Sequence, residues 1–258
     1  MKISIITVCY NREKTIRDSI ESVLAQDCPE VEYIVVDGAS TDGTLKIVDE
    51  YAQRIDHILS EPDKGMYEAL NRGIRMATGD IIGLLHSDDV FFQPTTLSRV
   101  LRRFEETGAD LVYGDGLFVD PDDPQRVVRN WIGGNYHRWK VRYGWLPLHT
   151  TCFIRRTVME RCGLYDESYK IAADSDLLFR YLLDGKLHVE YLHEYIVKMR
   201  MGGLSTDGAH RKQMWNEDIR MFRSLGMHPY VTKIEKMLWK VPQFVKSMKQ
   251  NDNNGDKP

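Results

Sequence analysis

An α/β domain with a mostly parallel central sheet flanked by helices follows from how apolar residues are spaced along this chain. Short runs rich in Ile and Val alternate with stretches of helical period, and turn residues or acids close each run. Strand–helix alternation at that density describes βαβ units, whose strands run parallel. In such sheets a ligand site lies beyond the carboxyl ends of the strands.

Residues 2–8 form the first expected strand, and from Glu13 the period changes, with Ile16, Ile20, Val23 and Leu24 at helical spacing. Val31 to Val36 is a second strand, ending at Asp37 and the turn Gly38-Ala39-Ser40-Thr41-Asp42-Gly43. Leu45, Val48 and Ala52 then mark one face of a helix. His57 to Ser60 is a short third strand and Met66 to Met76 a third helix. Ile81 to Leu85 is a fourth strand, ending in His86-Ser87-Asp88-Asp89. After Leu111 to Gly114 the alternation fades. Asp120-Pro121-Asp122-Asp123-Pro124 reads as a turn between two strand-like pieces, and Trp131 to Leu148 as a long loop or small subdomain. Helical patterns return over Ala173 to Leu183 and Ala209 to Leu225. Residues 1–220 are expected to form one domain, 221–250 a helical extension and 251–258 a frayed tail.

The 258 residues are 42% hydrophobic and 28% charged, which suffices to bury a core and stay soluble. A disordered chain, a collagen-like repeat and a disulfide-stapled miniprotein are excluded. Thirty-five basic and 38 acidic side chains leave a net charge of −3, which argues against bulk nucleic-acid binding. Cys9, Cys28, Cys152 and Cys162 form no CxxC pair, so free thiols in a reducing compartment are expected. The N-terminal apolar run is too short and too β-branched for a signal peptide. Ile81-Ile82-Gly83-Leu84-Leu85 falls far below the ~20 residues of a membrane span. The expected location is the cytoplasm, in solution or on the inner face of the cell membrane.

Two adjacent carboxylates at a strand end, Asp88 and Asp89, repel each other unless a cation or a donor lies between them. Mg²⁺ or Mn²⁺ takes such oxygen ligands and commonly bridges to substrate phosphates. A helix N-cap ahead of Gln93-Pro94-Thr95 is the plainer alternative. Asp37 stands at a neighbouring strand end, as a ligand contact or as a turn former. Lys64, in Glu61-Pro62-Asp63-Lys64-Gly65, is either a solvated charge or a phosphate contact. Their convergence on one sheet edge is the functional clue.

Ile3 to Asn11, together with Val36-Asp37-Gly38-Ala39-Ser40-Thr41-Asp42-Gly43-Thr44, resembles the family 2 glycosyltransferases of GT-A fold. So do Glu61 to Gly65, the Ala77-Thr78-Gly79-Asp80 lead-in and the aspartate pair, and the similarity covers roughly residues 2–205. The resemblance implies transfer of a sugar from a nucleotide-sugar, usually a UDP-sugar, to a hydroxyl with inversion at the anomeric carbon. It implies that Thr7, Val8, Tyr10, Asn11 and Asp37 cradle the nucleobase and ribose, and that Asp63, Lys64 and Gly65 complete the pocket. Asp88 and Asp89 match the metal- and ribose-contacting aspartates. Two departures stand out: His86 replaces an acid common two positions before Asp88, and Gly38 replaces an acid found after the position of Asp37.

An inverting transfer needs a carboxylate to take the acceptor proton. The resemblance places it at Asp174 in Ala173-Asp174-Ser175-Asp176-Leu177, with Asp176 in support, and helix capping is the alternative role for Asp174. His149 matches a histidine on the acceptor side, or is a hydrogen-bonded structural residue. Gly202 to Gly208 has the composition of a loop that closes over the diphosphate, or merely connects two elements. Residues 233–250 carry five lysines, one glutamate and a series of apolar residues, as a basic amphipathic helix on an anionic membrane would. Packing against the domain is the alternative. The combined expectation is a metal-dependent hexosyltransferase acting on a glycan or lipid-linked acceptor in cell-surface polysaccharide assembly. A nucleotidyltransferase would need a Gly-rich phosphate loop with a basic residue straight after the first strand, which is missing. An inactive sugar-nucleotide-binding protein would not need the aspartate pair together with Asp174.

Overall fold

The structure, a computed structural model, describes residues 1–121, 123, 125–202 and 211–239. Its frame is β1 (Ile3–Cys9), in which every residue is buried. Ile3 and Ile5 face one hydrophobic core and Ile6 and Val8 the other, as the two-residue period of a strand requires. A strand apolar on both faces must be covered on both faces, and parallel pairing with crossover helices achieves that. Accordingly β1 pairs in parallel with β2 (Val31–Asp37) and with β4 (Ile81–Leu84), and β3 (His57–Ser60) runs parallel outside β2. Helices α1 (Ile16–Leu24), α2 (Thr44–Glu50) and α3 (Met66–Met76) make the crossovers. Gly73 lets α3 lie close on the sheet, because a Cβ there would come within 2.5 Å of the Ile6 side chain.

The second half is mixed. After β5 (Val90–Phe91) and α4 (Thr96–Thr107), β6 (Leu111–Val119) forms a hairpin with β7 (Val127–Trp131). Helix α5 (Arg138–Arg142) follows, then β8 (Phe153–Arg155), α6 (Arg156–Cys162), α7 (Ala173–Asp184) and β9 (Val189–Arg200). The strand order is β3-β2-β1-β4-β8-β6-β9-β5, with β8, β5 and β7 running against the rest. The sheet is mostly parallel, as expected. Trp131 to Leu148, expected as a long loop or small subdomain, holds the end of β7 and α5, and it buries Val141, Trp145 and Leu148. The long strand β9 has no counterpart among the elements expected from residue spacing. Helix α8 (Arg211–Ser224) runs straight through the expected boundary at 220, and its Met221 and Phe222 join the same core as Phe179 of α7.

Helix α9 (Pro229–Leu238) packs its lysines against the domain. Lys233 and Lys236 point inward, where both pair with the buried carboxylate of Asp218. Most of the expected 233–250 segment, the 251–258 tail and nearly all of the 202–208 loop lie outside the described residues. Among the described residues no helix is long and apolar enough to cross a membrane.

One buried carboxylate ties the bottom of the sheet together. Glu32 accepts from the Thr78 backbone at 2.8 Å and hydroxyl at 2.5 Å, from Lys2 Nζ at 3.0 Å and from the Ser4 hydroxyl. Burial opposes its ionisation, but these donors outweigh burial and hold its pKa at about 2, below the ordinary 4.5. A depressed carboxylate stabilises the fold above its ordinary pKa and loses that contribution as pH falls through the folded value. Glu32→Gln should therefore melt lower than wild type above pH 4.5, with the gap in Tm closing toward pH 2. Thermal denaturation across that range checks this, and a gap independent of pH would contradict it.

Candidate active site

The parallel register sets Cys9, Asp37 and Ser60 side by side at the carboxyl ends of β1, β2 and β3. Asp37 is fully buried. Its Oδ2 accepts from the Ser40 backbone at 2.9 Å and the Ser60 hydroxyl at 2.8 Å, and its Oδ1 accepts from the Ser40 hydroxyl. This carboxylate organises the 38–43 turn. Asn11 and Ala39 adopt left-handed backbone, with φ of 54° and 62°. Asn11 Oδ1 accepts from Thr41 N at 2.8 Å, while its own N–H donates to the Ser40 hydroxyl at 2.8 Å. The loops after β1 and β2 are thereby zipped together.

Gly38 lies flush against Asp63, whose Oδ2 would stand 2.6 Å from a Cβ at that position, with the Tyr10 ring 3.5 Å away. The exposed Tyr10 thus meets Gly38 and Asp63 at one open edge. Asp63 also accepts from Gly65 N at 2.8 Å, which puts Lys64 and Gly65 on the rim. Thr7 and Val8 turn their side chains into the sheet instead, and the Thr7 hydroxyl accepts from Tyr33 at 3.2 Å. Of the residues expected around the nucleotide, Tyr10, Asn11, Asp63, Lys64 and Gly65 share the edge, and Asp37 underlies it.

The loop after β4 is clamped from two sides. Ser19 of α1 donates to the carbonyls of His86 at 2.9 Å and Asp89 at 2.5 Å. Arg200, at the end of β9, donates its N–H to Asp89 Oδ1 at 3.3 Å and its guanidinium to the Asp88 carbonyl at 3.0 Å. Asp88 is half-buried, whereas Asp89 is only 1% exposed. Burial, and after it the charge of Asp88, push the Asp89 carboxyl well above its ordinary pKa. Asp89 Oδ2 is buried and has no hydrogen-bond partner. An orphan carboxylate oxygen beside a second carboxylate fits a hard divalent cation, which would relieve both penalties. Among the described residues no group of three or more His, Cys, Asp or Glu gathers, so diphosphate and water oxygens would complete such a shell.

On the other side of the cleft, Asp174 sits in the first turn of α7. It does not cap the helix. Glu217 of α8 is buried and holds the segment that leads into α7, its carboxylate accepting from the N–H groups of Lys170, Ile171 and Ala172 at 2.9–3.2 Å. Asp174 is left free to meet other partners. Its Oδ2 lies 3.2 Å from His149 Nδ1, and His149 Nε2 lies 3.0 Å from His86 Nε2. With Asp174 ionised, His149 Nδ1–H is the donor to it, and one proton lies between the two Nε2 atoms. Burial, reinforced by His149, lowers the His86 pKa to about 4 against the opposing pull of Asp88 and Asp174. His86 therefore connects the aspartate-pair loop to Asp174. The phenol of Tyr67 donates to the Ile171 carbonyl at 2.7 Å and lies 3.5 Å from Asp174 Oδ1.

Asp176 does not join this group. Residues two apart lie on opposite sides of a helix, and Asp176 is buried in a pair with Arg180 at 2.8 Å. It is His149 that contacts Asp174 instead. Nothing in the residue spacing pointed to Glu217, Arg200 or Tyr67, because each acts through tertiary contact. A cavity of about 160 Å³ adjoins Asp174 and His149 and is walled by Trp131, Trp145, Met199 and Trp239.

The family model described as glycosyl transferase family 2 matches residues 4–164. The chain belongs to that family. A PGL/p-HBAD biosynthesis glycosyltransferase of Mycobacterium bovis is 31% identical over 207 residues, which is 78% of each chain. A putative glycosyltransferase of Bacillus subtilis, EpsE, is 38% identical over 122 residues, or 46% of this chain and 44% of that protein. Among solved structures, Staphylococcus aureus TarS in complex with UDP-GlcNAc has a TM-score of 0.70 at 19% identity, covering 93% of this chain and 71% of TarS. A mannosyltransferase of Pyrobaculum calidifontis in complex with GDP-Man and Mn²⁺ has a TM-score of 0.66 at 19% identity, covering 100% of this chain and 76% of that one. The shared architecture is the GT-A fold expected from the sequence.

The Glu217 clasp makes a testable claim about this glycosyltransferase. Glu217→Ala strands the N–H groups of Lys170, Ile171 and Ala172 in the segment leading into α7, which should cost about 2 kcal/mol or more. Because Asp174 rides on that turn, sugar transfer should slow more than donor affinity falls. Thermal melts with separate donor-binding and turnover assays check both parts.

Proposed function

We propose that this chain is an inverting glycosyltransferase that moves a sugar from a nucleotide-sugar, with UDP as the nucleotide, to a hydroxyl of a glycan or lipid-linked acceptor in cell-surface polysaccharide assembly. The observation that carries the reading is the placement of one carboxylate, Asp174, across from the aspartate pair, with the two imidazoles between them. The base and ribose lie along Tyr10, Asn11, Gly38 and Asp63, over the floor built by Asp37, with Lys64 and Gly65 at the rim. Asp88, the less buried of the pair, and Asp89 would hold Mn²⁺ or Mg²⁺. When bound, such a cation would supply charge neutralisation to the departing diphosphate.

The acceptor enters from the cavity beside His149 and presents its hydroxyl to Asp174. As the hydroxyl oxygen bonds to the anomeric carbon, Asp174 takes its proton, and the bond to the diphosphate oxygen breaks with its electron pair. His149 holds the Asp174 carboxylate in one orientation, and His86 fixes the ring of His149. One displacement inverts the anomeric centre. The likeness to TarS and to the mannosyltransferase supports a nucleotide-sugar donor, since those proteins are shown with UDP-GlcNAc and GDP-Man.

Asp174→Asn should lower kcat by about 10²–10⁴-fold while the donor Kd changes only a few-fold. Asp88→Asn should instead weaken UDP binding in the presence of Mn²⁺. Single-turnover transfer and calorimetric titration separate the two, and an Asp174→Asn protein with near-normal kcat would remove the base assignment.

A further inference from the structure

Helix α9 is turned inside out for a helix of a soluble domain. Its Lys233 and Lys236 face inward to Asp218, while Tyr230, Val231, Ile234, Met237 and Leu238 face solvent, each 47–62% exposed. The exposed positions recur at i, i+1, i+4, i+7 and i+8, which is one stripe along the helix. Helix α5 adds Trp139 and Tyr143, which are 55% and 51% exposed. The two helices are joined, since Trp239 Nε1 donates to the Tyr143 carbonyl at 2.8 Å and the Trp139 and Trp239 rings are 6.5 Å apart. Gly144 lies so close to α9 that a Cβ there would meet the Lys236 backbone at 2.9 Å. Seven apolar or aromatic side chains therefore form one surface that no described residue covers.

We propose that this α5–α9 face docks on an anionic phospholipid bilayer. Trp and Tyr favour the headgroup level of a membrane, with aliphatic side chains seated just below it. The charges agree. Arg138, Lys140 and Arg142 lie within α5, which holds no acid, and Arg138 and Arg142 are exposed. A second copy of the chain on this face would bring like charges together across a two-fold axis, whereas anionic lipid complements them.

The docking face also adjoins the acceptor cavity, since Gly144, Trp145, Lys236 and Trp239 wall that cavity and Asp174 lines it. A lipid-linked acceptor could thus present its hydroxyl while its chain stays in the bilayer. That consequence rests on the transferase reading; the docking itself does not.

The test is co-sedimentation of the full chain with vesicles of phosphatidylcholine containing about 30% phosphatidylglycerol, and with phosphatidylcholine alone. Wild type should partition to the anionic vesicles, with a blue shift in tryptophan emission. The double variant Ile234→Ser/Leu238→Ser should lose about tenfold or more in partitioning, and Arg142→Glu about fivefold or more. All three positions are exposed, so melting temperatures should hold. If the double variant melts early, Trp139→Ala, on the other helix, must show the loss on its own. Partitioning that is absent in wild type, or equal in wild type and all variants, overturns the proposal. So does a concentration-dependent dimer in sedimentation velocity that the same substitutions abolish, because the face would then be a protein interface. A loss of transferase activity in Asp174→Asn with unchanged vesicle binding keeps the two readings separate.

Discussion

A strand apolar on both faces is the constraint from which the rest of this structure follows. Because β1 is buried along its whole length, helices must cover both sides of the sheet and its neighbours must return by crossovers. Parallel return sends the carboxyl ends of β1, β2, β3 and β4 to the same edge. Tyr10, Asp37, Ser60 and the 86–89 loop arrive there together for that reason alone. The polar groups there satisfy one another: Asp37 takes the turn donors, and Asn11 bridges the first two loops.

The opposite wall is built differently. Asp174 comes from a helix whose lead-in segment is held by Glu217, a carboxylate from another helix, and its own side chain is not spent on capping. Instead it meets His149, which meets His86. These contacts give a physical account of the histidine at position 86. In place of an acid, a neutral imidazole sits in the aspartate-pair loop, which lowers the local negative charge and links that loop, through His149, to Asp174. The two halves of the site are thus mechanically connected through a pair of rings.

Much of this was legible in the residues. The strands through Ile81–Leu84, helix α7 and the aspartate pair announce themselves through period and turn chemistry, all local properties. Strand β9 did not, because Val189 to Arg200 mixes charges and aromatics and is only half-buried, leaving no clear two-residue alternation. Asp37 was equally readable as a ligand contact or a turn former, and only its hydrogen bonds reveal the second role. Helix α9 shows the limit of amphipathic reading most sharply. The pattern of lysines and apolar residues is plain, but which side faces the domain depends on Asp218, a buried acid from the preceding helix.

The central claim is that a single carboxylate on the acceptor side drives one displacement at the anomeric carbon. The stereochemistry of the product reports on it directly. With whichever nucleotide-sugar of a UDP and GDP panel turns over, proton NMR of the first-formed product gives its anomeric configuration. The account predicts inversion relative to the donor, so an α-linked nucleotide-sugar should yield a β-linked product. A product with the donor's configuration retained would require a second displacement or a front-face reaction, and would contradict the role assigned to Asp174.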